Sequence, residues 1–366
     1  MATALHRGVH AAGSSTSRSR LPQRSLIGRP VPAPSVSIRG ITTSWPKWPV
    51  MPSPPQYGDY DVLDVSSAMS SYPDPLPVPD SIRRPPYVPA NFFTAPIWEH
   101  EETTDNSAAS KIKLGTRAHE RVRAAGQAAA EVLAEVGKLV RPGITTAQLD
   151  EAAHAAILRR GAYPSPLGYS HFPKSCTTSV NNVVARELTD LHRPLLSTDI
   201  INLDITLFLN GYHGDTSATF VLPETDKQGR DLVEATREAL EIGIRTCGPG
   251  KLYRGIGRAI DQANNSREFA RKHGYGINTQ FSGHGIGQRF HQEPWILHHQ
   301  NTGTEKMSPG DCFTIEPPLV QGMKTRGTLW EDGWTVTTDT GARSAQFEHQ
   351  VLITHDGVEV LTRLAE

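Results

Sequence analysis

Two stretches of the chain share one pattern. Ser197-Thr198-Asp199-Ile200-Ile201-Asn202-Leu203-Asp204 and Pro309-Gly310-Asp311-Cys312-Phe313-Thr314-Ile315-Glu316 each run from a turn through an Asp into an apolar strand. Each ends on a carboxylate five residues after that Asp. A pair of helical patterns precedes each stretch. From a start near Gly115-Thr116, apolar residues fall at Val122, Ala125, Ala129, Val132, Val136 and Leu139, the spacing of one buried stripe. Arg141-Pro142-Gly143 breaks that helix, and Thr145-Thr146-Ala147-Gln148 has the capping-box spacing that opens a second, through about Arg160. Downstream the pattern predicts a helix over Asp231 to Thr246, a break at Gly248-Pro249-Gly250, and another helix from Tyr253 to Phe269. The Pro-Gly breaks lie 107 residues apart and the terminal carboxylates 112. A chain that repeats helix, break, helix, turn, strand and acid is constrained to two related halves. The expected fold class is α+β, with the halves packed into one domain.

The acids then raise an electrostatic problem. Asn210-Gly211 is a strong hairpin signal. With those two residues as the turn, Asp215 faces Thr206 and Asp204 lies diagonal to it on the same sheet face; a two-residue shift of register would set the acids directly opposite. Either way two like charges sit close together, and burial would raise their pKa values. Glu316 and Glu348 also adjoin strand-like residues. If they join Asp204 and Asp215, four negative charges meet, and divalent cations neutralise them. The segment Ser282-Gly283-His284-Gly285-Ile286-Gly287-Gln288-Arg289-Phe290-His291-Gln292-Glu293-Pro294 supplies a nitrogen ligand, His284, in permissive backbone. Spacing alone leaves open whether these five residues converge or serve singly as surface and ion-pair groups.

Bulk properties narrow the partners. The chain has 366 residues and a formal net charge of -1, so no global field favours nucleic acid and no nucleic-acid partner is expected; a monomer is expected as well, though composition does not set the oligomeric state. Three cysteines, Cys176, Cys247 and Cys312, without a C-x-x-C pair, argue against a disulfide framework. No run of 18 apolar residues exists, so no membrane span is expected. The first 58 residues contain no acid but carry Arg7, Arg18, Arg20, Arg24, Arg29 and Arg39 among many Ser, Thr and Ala. That composition predicts a mitochondrial transit peptide over 1–44, removed near Arg39-Gly40-Ile41, and localisation to the matrix. A proline-rich linker or N-terminal arm follows over 45–110, and the remaining 111–366 are expected to form the folded domain.

From about Thr116 to Leu361 the sequence resembles the type 1 methionine aminopeptidases, a subfamily of peptidase family M24, in their mitochondrial form. The resemblance is carried by Tyr163-Pro164-Ser165-Pro166-Leu167-Gly168-Tyr169, Phe172-Pro173-Lys174-Ser175, Asn202-Leu203-Asp204 and Gly211-Tyr212-His213-Gly214-Asp215-Thr216-Ser217. It continues through the GHGIG segment, Phe313-Thr314-Ile315-Glu316-Pro317, Asp332-Gly333-Trp334-Thr335-Val336 and Ser344-Ala345-Gln346-Phe347-Glu348-His349. Upstream, Ser81-Ile82-Arg83-Arg84-Pro85-Pro86-Tyr87-Val88-Pro89 looks like the arm before the catalytic domain of organellar members. The resemblance implies a pita-bread (creatinase/aminopeptidase) fold with two pseudo-symmetric halves. It implies two divalent metal ions, Co, Mn, Fe(II) or Zn, held by Asp204, Asp215, His284, Glu316 and Glu348, which activate a hydroxide. Glu316 would be catalytic as a proton shuttle, and His291 would be catalytic as a substrate hydrogen-bond partner. The methionine pocket would be drawn from Tyr169, Phe172, Thr177, Phe290, His291 and Trp334, with Thr177 where the family often has cysteine. The implied substrates are N-terminal Met peptides of nascent proteins with a small second residue. An Xaa-Pro peptidase of the same fold and a non-catalytic binding protein are the alternatives. Phe172-Pro173-Lys174-Ser175 and Trp334 resemble the methionine branch, and non-catalytic relatives usually lose ligands.

One family motif is missing. After Ser179-Val180-Asn181 the family usually continues towards His-Gly-Ile-Pro-Asp; this chain reads Asn182-Val183-Val184-Ala185-Arg186-Glu187-Leu188-Thr189-Asp190-Leu191-His192-Arg193-Pro194. Arg186 stands at the usual catalytic histidine's place. Its guanidinium is always protonated, so it donates hydrogen bonds but cannot accept and return a proton. A local gene-model error, a weakened enzyme, and replacement by His192 in a rearranged loop all fit these residues. The expectation is metal binding intact with lowered activity.

Overall fold

The computed structural model describes residues 57–65, 73–95, 111–185, 193–265 and 274–364. The expected transit peptide, Arg186, His192 and the end of the expected Tyr253–Phe269 helix lie outside these residues.

Helix α1 (Arg117–Gly137) starts where Thr116 accepts a hydrogen bond from the Ala118 amide, and α2 (Thr146–Arg159) starts on a complete capping box between Thr145 and Gln148. Val122, Ala125, Ala129, Val132 and Val136 are buried as their spacing requires. Leu139 is not: α1 stops at Gly137, and Leu139 beyond it is 41% exposed. Short strands β1 (Tyr163–Pro164), β2 (Thr177–Val180) and β3 (Val183–Ala185) lead to the long hairpin of β4 (Ile200–Leu209) and β5 (Tyr212–Val221). Helix α3 (Lys227–Arg245) begins four residues before the expected Asp231, because the Asp226 carboxylate caps it by accepting from the Gly229 amide. Helix α4 (Arg254–Asn265) follows. The rest is strand: β6 (Tyr275–Ile277), β7 (Gly283–Gly285), β8 (Gln292–Ile296), β9 (Cys312–Ile315), β10 (Leu319–Gln321), β11 (Gly327–Leu329), β12 (Val336–Thr338), β13 (Ser344–Ala345), β14 (Glu348–Ile353) and β15 (Val358–Val360). None of the described helices is long and apolar enough to cross a membrane.

The main sheet runs β1-β4-β5-β14-β9-β7-β8, with β2 beside β4 and β15 beside β14. Helices α1 and α2 bury their apolar faces in one cluster with Ile201, Leu203 and Ile205 of β4. Helices α3 and α4 do the same in a second cluster with Phe313 and Ile315 of β9. The duplication extends to single hydrogen bonds. Gly143 donates to the Leu195 carbonyl and Gly250 to the Met307 carbonyl, both at 2.8 Å. Asp199 accepts from the Leu196 amide at 2.8 Å, and Asp311 from the Ser308 amide at 2.6 Å. Each Asp thus closes the turn that aims the following strand, and each strand delivers its acid to the same region.

Close backbone contact between α1 and β5 depends on Gly214. A Cβ there would lie 2.1 Å from the Ala125 carbonyl oxygen and 2.6 Å from the Gly126 nitrogen. Neither neighbour is a side chain that can swing away. Gly214→Ala is therefore expected to destabilise by about 1–3 kcal/mol or more, read as a melting temperature lowered by at least about 2–4 °C. An unchanged melt would show that α1 can shift off the sheet at no cost.

Candidate metal centre

The hairpin register settles the geometry of the first two acids. Asn210 (φ 53°) and Gly211 (φ 91°) form the turn, Thr206 pairs with Asp215, and Asp204 pairs with Ser217. Asp204 and Asp215 are diagonal neighbours, not direct partners. Glu348 on β14 also pairs with Ser217, so it falls on the face of Asp204 and Asp215. Glu316 follows β9, and His284 sits on β7. Five neighbouring strands, β4, β5, β14, β9 and β7, thus each present one residue of the expected set.

The residues converge. Ligand-type atoms of Asp215, His284 and Glu348 lie within 4.8 Å of one another, and all three residues are buried. His284 Nε2 is 3.7 Å from Asp215 Oδ2 and 3.6 Å from Glu316 Oε1. Its Nδ1 is 3.2 Å from the Gly285 carbonyl, which can only accept. That contact places a proton on Nδ1 and leaves Nε2 as the ring atom that faces the acids and can ligate a metal. Hydroxyls two residues away on the strands, or opposite in the ladder, orient the carboxylates. Thr206 Oγ1 donates to Asp215 Oδ1 at 2.6 Å, Thr314 Oγ1 to Glu316 Oε1 at 2.8 Å, and Thr177 Oγ1 to Asp204 Oδ2 at 3.2 Å. Gln346 Nε2 donates to Glu316 Oε2 at 3.2 Å. The Glu316 amide donates to His298 Nε2 at 3.0 Å. Full burial holds His298 neutral, its pKa down at about 3, so that nitrogen stays an acceptor.

The cluster is electrostatically uncomfortable as it stands. Burial, then the charges of Asp204 and Glu316, push the Asp215 carboxyl well up, and the Thr206 hydrogen bond offsets only part of this. Burial, then Asp215, Glu316 and Asp204, push Glu348 up in the same way. A dense carboxylate group with one oriented imidazole and no cationic side chain among these causes fits hard or borderline divalent ions. The pH consequence has a definite sign. The folded-state pKa values exceed the unfolded ones, so without metal these groups lower stability as pH climbs from about 4 towards the raised values. Metal needs the deprotonated forms and relieves their repulsion. The stabilisation of metal-stripped protein by Mn(II) should therefore grow between about pH 5 and 8, and thermal melts with and without Mn(II) measure it. A gap independent of pH would contradict the coupling.

The cluster faces a cavity of about 80 Å³, room for more than one water. Asp204, Asp215, His284, Glu316 and Glu348 line it, as do Tyr169, Phe172, Thr177, Phe290, His291 and Trp334. Two aromatic groups form its walls. Phe172 and Trp334 meet edge to face at 4.9 Å. Tyr169 and Phe290 are also 4.9 Å apart, and His291 is 4.0 Å from Phe290 and 4.1 Å from His284. Thr177 has a second contact, the hydroxyl donated to Asp204, beside its place in the wall. The glycines of the GHGIG segment let neighbouring backbone approach closely. A Cβ on Gly283 would lie 2.3 Å from the Thr314 carbonyl oxygen, and one on Gly285 would lie 2.3 Å from the Glu293 carbonyl oxygen. They let β7 close between its neighbours, which carries His284 to the acids. Arg186 is outside the described residues; Ala185, just before it, lines the cavity. Sequence reasoning set Thr206 opposite Asp215 without giving it a role, and passed over Thr314 and His298. The threonines were findable as same-face strand neighbours of the acids, whereas nothing in the sequence marks His298.

Residues 120–355 match the family model for metallopeptidase family M24. Fold, match and buried acid–histidine group agree, and the chain belongs to that family of metallopeptidases. It is 45% identical over 292 residues to the chloroplastic/mitochondrial methionine aminopeptidase 1D of Arabidopsis thaliana, covering 78% of this chain and 77% of that one. It is 42% identical over 292 residues to the mitochondrial methionine aminopeptidase 1D of Danio rerio, covering 79% and 80%. The crystal structure of methionine aminopeptidase from Rickettsia prowazekii superposes with a TM-score of 0.63 at 38% identity, over 69% of this chain and 100% of that one. Within the family the chain falls among the type 1 methionine aminopeptidases, and its paired halves and curled antiparallel sheet are the pita-bread fold.

Proposed function

We propose that this chain removes the N-terminal methionine from nascent proteins with a small second residue, in a metal-dependent reaction within the mitochondrial matrix. The observation that carries the reading is the convergence of Asp204, Asp215, His284, Glu316 and Glu348 on the wall of one aromatic-lined cavity. The arginine-rich, acid-free 1–58 and the organellar names of the relatives support the location. On this reading 1–44 is the transit peptide, 45–110 the arm and 111–366 the catalytic domain.

Two divalent ions, Mn, Fe(II), Co or Zn, held by those five residues would supply Lewis acidity and lower the pKa of water at neutral pH. Glu316 has its carboxylate fixed through both oxygens, by Thr314 and Gln346, so it is placed to take a proton from the attacking water and shuttle it onward. His291 is packed by Phe290 and Tyr169, which aims its ring at the substrate carbonyl as negative charge develops there. Tyr169, Phe172, Phe290 and Trp334 offer polarizable faces to the methionine thioether, with Thr177 completing the wall. Arg186 replaces the group expected to serve the leaving nitrogen, which lowers turnover without removing a ligand.

The test uses metal-stripped protein reloaded anaerobically with Mn(II). Methionine should be released from Met-Ala-Ser and not from Met-Trp-Ser. Equal release from both would overturn the small-residue rule, and release from neither at any enzyme concentration would overturn the assignment.

A further inference from the structure

Two rings of the proposed methionine pocket are supported from outside the family match. Tyr169 and Phe290 belong to an apolar cluster that includes Val78, Tyr87, Val88 and Phe92. These four come from the N-terminal arm, upstream of the matched residues 120–355.

Tyr87 is 5% exposed and is one of the buried members of this cluster. Its phenol donates to the Ser165 carbonyl at 2.7 Å, so its burial leaves no polar atom unsatisfied. Its ring centroid is 4.8 Å from that of Tyr169, edge to face at 89°. It is 5.9 Å from His213, nearly parallel at 20°, and 6.4 Å from Phe290. His213 in turn stacks on Phe290 at 5.3 Å and 14°, and its Nδ1 is 2.8 Å from the Ser165 hydroxyl. Full burial keeps that imidazole neutral, its pKa down at about 3. Tyr87 therefore touches one ring of the pocket directly and backs the other through His213.

The loop that carries Tyr169 and Phe172 needs such support. Ser170 (φ 48°) and His171 (φ 68°) sit in the left-handed region, which non-glycine residues hold only where their surroundings over-determine them. The Gly168 amide donates to the Phe172 carbonyl at 2.8 Å and closes the loop on itself. A Cβ on Gly168 would meet Val88 Cγ1 at 3.0 Å and the Phe92 ring at 3.5 Å. The arm is thus packed against the back of this loop.

We propose that Tyr87 is a positioning residue for side-chain selectivity. From the arm it holds Tyr169 and Phe290 in place, and so sets the width of a slot that takes unbranched methionine and resists γ-branched leucine. The inference rests on the reading of this cavity as the methionine pocket.

Calorimetric titration of L-methionine and L-leucine into Mn(II)-loaded full-length protein tests it. The comparison is wild type, Tyr87→Phe and Tyr87→Leu. Tyr87→Leu should shrink the methionine-over-leucine preference by about three- to tenfold, the worth of one aromatic pair. Tyr87→Phe keeps the ring contacts and should hold the preference within about twofold. General loosening would weaken both ligands alike and leave the ratio intact. An unchanged ratio in cooperatively melting Tyr87→Leu would overturn the proposal, as would an equal loss in Tyr87→Phe. If Tyr87→Leu does not fold, Val88→Ala probes the same support from the Gly168 side. It should shift the ratio in the same direction, and no shift there overturns the proposal. A wild type without preference for methionine would instead defeat the pocket reading, and this inference with it.

Discussion

Asp215→Asn is expected to have two opposite effects: loss of metal loading and turnover, and a higher melting temperature for metal-free protein. Asp215 is 3% exposed, and its burial, then the charges of Asp204 and Glu316, hold its pKa well up. Asparagine has nearly the same shape, and its Oδ1 can still accept the Thr206 hydroxyl that now donates at 2.6 Å. The substitution therefore removes the cost of burying an ionisable carboxyl among other acids without opening a cavity. Each ~1 kcal/mol so recovered raises the melt of a domain this size by about 2–4 °C. Metal affinity should fall by at least about 10²-fold, since loss of mere supporting contacts already costs 10–100-fold. Equilibrium dialysis with Mn(II) and paired melts read both effects. A variant that is destabilised when metal-free would mean that Asp215 contributes to the fold in ways repulsion does not capture. A variant that binds Mn(II) normally would remove Asp215 from the ligand set.

Arg186→His is expected to raise kcat on Met-Ala-Ser by about 10²–10⁴-fold, the usual worth of one general acid–base group. The residue follows Ala185, the end of β3, which lines the cavity with the candidate ligands. A guanidinium there donates hydrogen bonds but cannot pass a proton to the leaving nitrogen. Histidine can, near neutral pH. Metal affinity should change little, because none of the five ligands is altered. A kcat that stays the same, with wild type already turning over normally, would mean that position 186 has no part in the proton path. Sequencing the transcript across this segment separates a true arginine from a gene-model error.

The duplication was legible because it is written in turn chemistry. Pro-Gly breaks, turn-closing Asp residues and apolar strands recur in the same order, and the paired hydrogen bonds of Gly143 and Gly250 bear this out. That Asp204 and Asp215 share one face was legible from the Asn210-Gly211 turn; the choice between a diagonal and a directly opposite pair was not, and the hairpin register makes it diagonal. Convergence of Glu316, Glu348 and His284 was not, since it depends on the order of distant strands in the sheet. Periodicity does not encode that order, and only the family resemblance supplied it. Helix ends were read less well. Leu139 continued an apolar period past the point where α1 stops, and the α3 start was missed because the Asp226 cap competes with an equally acidic Asp231. Packing of the arm by Tyr87 and Phe92 was hidden behind its proline content.

The most direct measurement is free methionine released from Met-Ala-Ser by metal-stripped protein, titrated anaerobically with Mn(II) beside an Ala-Pro-Ser control. The account predicts no release without metal, release that rises and saturates with Mn(II), and no cleavage of Ala-Pro-Ser at any loading. Methionine release indifferent to metal, or cleavage of Ala-Pro-Ser in its place, would contradict it.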